Sequence, residues 1–160
     1  MSRIACVLGA ALLIVSSATA AVITRTATTA TYKLTLAVGP VETMYTQAEV
    51  KAKHPTSGEV MVRSMGGMSM GAANRHLEVH VASRATRTVV TNVSPRIMLT
   101  DTSAMGGTAM AEKVNATAMQ GIGEGVADLH YGDNVKLAAG HVYKVVVTVK
   151  GERATFTFKA

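Results

Sequence analysis

The sequence predicts an all-β fold, an antiparallel sandwich or barrel, on three observations. Short runs in which apolar and polar residues alternate recur along the chain, which is the period of a strand buried on one face. Turn signals separate them, among them Gly39-Pro40, Gly66-Gly67, Ser94-Pro95, Gly106-Gly107, the Gly121 to Gly125 stretch and Gly151-Glu152. Helical crossovers of a dozen residues, which an α/β arrangement needs between its strands, are missing from the pattern.

The chain opens on MSRIACVLGAALLIVSSATA, with Arg3 as positive flank, an apolar run from Ile4 to Val15, and Ala18-Thr19-Ala20 as the small-residue triplet. That is the layout of a cleavable secretion signal over residues 1–20, and the run is too short and too small-residue-ended for a transmembrane anchor. Cleavage removes Cys6, the chain's single cysteine. What remains has no disulfide, no thiol nucleophile and no thiolate ligand, so packing or a metal must hold the fold. A secreted, periplasmic or cell-envelope location follows, with no integral membrane segment after cleavage.

Residues 21–31 are rich in Thr and Ala and read as a flexible lead, leaving 32–160 as one domain. YKLTLAV puts Tyr32, Leu34, Leu36 and Val38 on one face of a strand, and TQAEVKAK reads as one short helix before the His54-Pro55 turn. Further strand-like runs are EVMVR from 59, HLEVHVA from 76, TRTVVTNV from 86, RIMLT from 96, EKVNATAM from 112 and NVKLAA from 134. The last two, HVYKVVVTVK and RATFTFKA, form a hairpin around Lys150 to Glu152, with Tyr143, Val145, Val147 and Val149 facing Ala154, Phe156 and Phe158.

The 16 basic and 10 acidic residues leave a net charge of +6, one less without Arg3. The basic residues are scattered singly, aromatics are scarce, and no nucleic-acid-binding pattern is present, which excludes that class. No nucleophile elbow or spaced carboxylate pair is readable, so an enzyme is not expected. GIGEG lacks the phosphate-loop lysine and opens no helix.

Metal-ligating chemistry is better represented. In NRHLEVHVA, strict alternation sends Leu77, Val79 and Val81 to the core and leaves His76, Glu78 and His80 together on the other face. Residues two apart on a strand stand about 7 Å apart, so they can share an ion only with help from another strand. Methionine is the second unusual feature, with ten in the chain. Met61 and Met98 sit inside strands and read as packing residues, whereas Met65, Met68 and Met70 stand in the glycine-rich loop SMGGMSMG, where thioethers could converge on Cu(I). His54 and His141 read as isolated structural or solvated histidines.

The stretch HYGDNVKL followed by GHVYKVVVTV, with His76-Leu77-Glu78 upstream and Met119 before His130, resembles the periplasmic metal-binding proteins that accompany bacterial iron permeases. The likeness spans roughly residues 74–149 and implies an immunoglobulin-like antiparallel β-sandwich. It further implies a copper site formed by His76, Glu78, Met119 and His130, with iron as the transported metal. That family draws a further histidine from a long loop between its last two strands, which here has shrunk to Lys150-Gly151-Glu152-Arg153. His80, Met44 and the Met65, Met68 and Met70 loop are the replacements on hand. The expected function is non-enzymatic: an exported protein that delivers or sequesters a copper or iron ion, with an envelope metal transporter and a second copy of the chain as expected partners. The rival is a metal-free immunoglobulin-like interaction module of the envelope that uses HLEVHV as an exposed sheet face.

Overall fold

The structure, a computed structural model, describes residues 21–63, 72–103 and 111–160. The expected signal (1–20) and the Met65, Met68 and Met70 loop therefore lie outside the described residues. Two sheets pack face to face. The first has seven strands in the order β1 (Ile23–Thr28), β2 (Tyr32–Gly39), β5 (Arg75–Ser83), β9 (His130–Val135), β8 (Thr117–Gly121), β4 (Glu59–Arg63) and β3 (Met44–Tyr45). The second has four, in the order β11 (Glu152–Lys159), β10 (Val142–Val149), β6 (Arg96–Asp101) and β7 (Ala111–Val114). Of the sandwich and the barrel that the alternation allows, the chain forms the sandwich. Every pairing between named strands is antiparallel except β3 with β4.

Alternation places the core. Leu34, Leu36 and Val38 of β2 and Leu77, Val79 and Val81 of β5 meet Ile97, Leu99, Val145, Val147, Val149, Phe156 and Phe158 of the opposite sheet. The last hairpin forms in the expected register, with Tyr143 opposite Phe158, Val145 opposite Phe156 and Val147 opposite Ala154. Burying one such apolar side chain stabilises the fold by about 1.5–3 kcal/mol, so this interface supplies the stability that a cysteine-free body cannot draw from disulfides. The expected helix is α1 (Gln47–Lys53), started by a capping box between Thr46 and Glu49 and stopped by His54 in the left-handed conformation.

Four expectations need correction. The supposed flexible lead contains β1, because its Thr-rich backbone finds a full antiparallel partner in β2 and packs Ile23 and Ala27 against the core. TRTVVTNV forms only an isolated bridge, Ala82 to Val89. EKVNATAM divides into β7 and β8, which belong to different sheets, so the chain changes layer at Asn115-Ala116. NVKLAA is not a strand of its own, since β9 begins at His130 and ends at Val135, before Leu137. Met61 is buried as expected of a packing residue, whereas Met98 is half-buried and leaves the core side of β6 to Ile97 and Leu99.

Candidate metal centre

Three strands of the seven-stranded sheet bring the polar residues together on the face turned away from the core. On β5 the apolar set occupies the core side, so His76, Glu78 and His80 take the outer side. The register then extends the surface sideways. His80 stands opposite His130 of β9, His130 opposite Met119 of β8, and Met119 opposite Met61 of β4. One step along, Glu78 faces Gly132, and beyond that His76 faces Asn134. Gly132 is required here, since a Cβ at that position would collide with the Leu77 carbonyl oxygen. The backbones of β5 and β9 therefore lie close here, with Glu78 in register between His130 and Asn134.

The resulting distances are those of donors around one ion. The ligand atoms of His76, Glu78 and His130 all lie within 4.8 Å of one another. Glu78 Oε2 is 3.6 Å from His130 Nε2 and 3.9 Å from His76 Nε2, and Glu59 Oε2 is 3.3 Å from His130 Nε2. Two donors each about 2.0–2.2 Å from one metal stand about 3–4 Å apart. Both histidines are oriented from behind. Asn134 clamps the Glu42 backbone, its Nδ2 donating to the Glu42 carbonyl at 2.8 Å and its Oδ1 accepting from the Glu42 N–H at 3.2 Å. That clamp turns Oδ1 toward His76 Nδ1 at 3.0 Å, so Nδ1 must carry the proton and Nε2 the lone pair. His130 Nδ1 likewise donates to the Asp128 carbonyl at 2.8 Å, which leaves its Nε2 as the lone-pair nitrogen. A second hydrogen bond that fixes the tautomer is the usual support of a metal-binding imidazole.

Among the described residues, three buried side-chain atoms lack a hydrogen-bond partner: Glu59 Oε2, His76 Nε2 and His130 Nε2. The two histidine nitrogens face Glu78 Oε2, and Glu59 Oε2 faces His130 Nε2. A buried polar atom left without a partner costs about 1–3 kcal/mol, so such a group persists only where something offsets it. Electrostatics agree with a cation. Burial first, then Asp128, Glu78 and Glu42, push the Glu59 carboxyl up to about 7. Burial, reinforced by the neighbouring His130 ring, lowers His76, keeping it neutral further into the acid range. Glu78 is also buried, which would raise it, but the hydrogen bond with His80 and the surrounding histidines hold it below the usual carboxylate range. His80 is raised in turn, chiefly by that hydrogen bond. Acid groups thus crowd one face of a chain whose net charge is +6.

Of the residues expected at a site, His76, Glu78 and His130 converge, and fully buried Met119 stands in register beside His130. His80 lies at the margin, 3.4 Å from Glu78 Oε1. Met44 is half-buried in β3, opposite Glu59. Residues that sequence reasoning missed are Glu59, Asp128 and Asn134. A signal for Glu59 existed, because in EVMVR the alternation puts it on the same face as Met61. His141 is set apart, paired with Asp101 at 2.7 Å at the four-stranded sheet, where β6 meets β10. Comparison with protein-family models, curated proteins and solved structures finds no match. Among the described residues no helix is long and apolar enough to cross a membrane.

Proposed function

We propose that this chain is an exported, non-enzymatic metal-binding protein that holds a copper or iron ion for delivery or sequestration in the cell envelope. The observation that carries the reading is the convergence of His76 Nε2 and His130 Nε2, both buried and without a hydrogen-bond partner, on the Glu78 carboxylate. Imidazole and carboxylate donors suit Cu(II) and iron, and a thioether from Met119 favours Cu(I). With the Lys150 to Arg153 turn too short to add a ligand, Glu59, 3.3 Å from His130 Nε2, is the further carboxylate that a strand outside the H-x-E strand and the His-Tyr-Gly strand brings to this face. The resemblance to metal-binding proteins of iron permeases supports the same donors, His76, Glu78, Met119 and His130. An envelope metal transporter is the natural recipient, and a second copy of the chain a further partner.

An interaction module reading the HLEVHV face would need that face open, and His76 and His130 are buried. Titration calorimetry of the purified protein with Cu(II) at neutral pH is the test. Tight uptake that disappears when His76 and His130 are both replaced by Ala is the expected result. No uptake, or unchanged affinity in the double variant, would overturn the reading.

A further inference from the structure

We propose that Asp128 is the positioning residue of His130: its side chain closes the 121–128 loop and thereby keeps the single proton of the neutral ring on Nδ1, away from the nitrogen that faces Glu78. The purpose of the arrangement rests on the metal-binding reading above, but the arrangement itself can be tested without metal. His130 Nε2 faces two carboxylates, Glu59 Oε2 at 3.3 Å and Glu78 Oε2 at 3.6 Å. Left to those acceptors, a neutral imidazole would carry its proton on Nε2 and offer no lone pair there to an ion. The Asp128 carbonyl, 2.8 Å from Nδ1, is the opposing acceptor.

The Asp128 side chain holds that carbonyl in place. β8 ends at Gly121, and the chain turns back through a short 3-10 turn over Gly125–Asp128 before β9 opens at His130. Asp128 Oδ2 accepts from the Gly121 N–H at 2.7 Å, which ties the end of this loop to its start. The tie is close: a Cβ on Gly121 would come within 3.0 Å of Glu124 Cγ and 3.1 Å of Asp128 Oδ2. At the start of the loop the Ile122 N–H donates to the Gly58 carbonyl at 2.9 Å, next to Glu59. One loop thus touches β4 beside Glu59 and supports β9 behind His130. The Asp128 side chain is 34% exposed against 1% for His130, so the support can be altered from the surface without filling the buried space around the ring.

Nitrogen NMR of the histidine rings in the purified, metal-free protein, in mildly alkaline buffer, reads the tautomers, and calorimetry with Cu(II) alone reads the consequence. The unaltered chain should show His130 protonated on Nδ1. Asp128→Ala should spread His130 over both tautomers, leave His76 as it was, and weaken Cu(II) binding by about 10- to 100-fold, the usual cost of losing a ligand's outer support. Asp128→Asn keeps an oxygen for the Gly121 N–H and should restore both. A merely structural residue would lower stability without moving the His130 tautomer. An Nε2-protonated His130 in the unaltered chain overturns the proposal even if the Ala variant fails to fold. So does an Ala variant with the tautomer or the affinity of the unaltered chain, or an Asn variant that behaves as the Ala variant does. Absence of copper uptake by the unaltered chain sinks the metal-binding reading instead, with the tautomers still deciding the role of Asp128.

Discussion

Two histidine-acid groupings lie at different places on this sandwich, and only one has the marks of a ligand site. His141 and Asp101 make a short, partly exposed pair in which the Asp101 carboxylate is held below its ordinary value chiefly by the histidine itself. His76 and His130 are buried, each with one nitrogen bound from behind and the other facing carboxylates without a hydrogen bond. Proximity of histidine to acid is thus common to both. What separates them is burial with unmet valence, which costs free energy in the first place and invites a cation in the second.

The largest test of that contrast is deletion of the buried pair. Replacing His76 and His130 together with Ala should lower Cu(II) affinity by more than about 100-fold, the loss of two imidazole ligands exceeding what a supporting residue costs. Metal analysis and calorimetry read it.

Next in size is Glu59. Its folded value near 7 exceeds the ordinary 4.5, so between those values the folded chain keeps a proton the unfolded chain has lost. The metal-free protein is therefore favoured below pH 4.5 by this group and loses that advantage as pH rises through 7. Glu59→Gln removes the loss. Denaturant melts should find the metal-free variant more stable at pH 8 by roughly 2–3 kcal/mol and little changed at pH 5. Its copper affinity should fall, the opposite sign, and uptake by the unaltered protein near pH 6.5 should release protons.

Asn134→Ala comes third. It removes the clamp on Glu42 and the partner of His76 Nδ1, leaving every proposed ligand in place, and should weaken binding by about 10- to 100-fold. An unchanged affinity would show that the His76 ring is held by packing alone. The smallest effect belongs to the contrasting pair: His141→Ala should leave copper uptake unaltered, and a loss there would erase the distinction between the two groupings.

Much of the fold was legible because a strand writes its burial into alternate residues. The core-facing sides of β2, β5, β10 and β11 follow directly from their apolar positions, and the same alternation showed that His76, Glu78 and His80 share a surface. Where local pattern misled, pairing decided. ITRTAT is polar enough to read as a lead, yet it becomes a strand because β2 offers a free edge. TRTVVTNV alternates well but finds only a single bridge.

The donor types and half of the site were thus set by sequence alone: histidines and a glutamate on one strand face, methionines nearby, and no cysteine after residue 6. Which donors meet was decided by tertiary structure. Glu59 reaches His130, Asn134 reaches Glu42 across 92 positions, and Gly132 lets β9 lie close against β5. Periodicity reports which side of a strand a residue occupies. It carries no information about the neighbouring strand or the register, and a metal site is built from both.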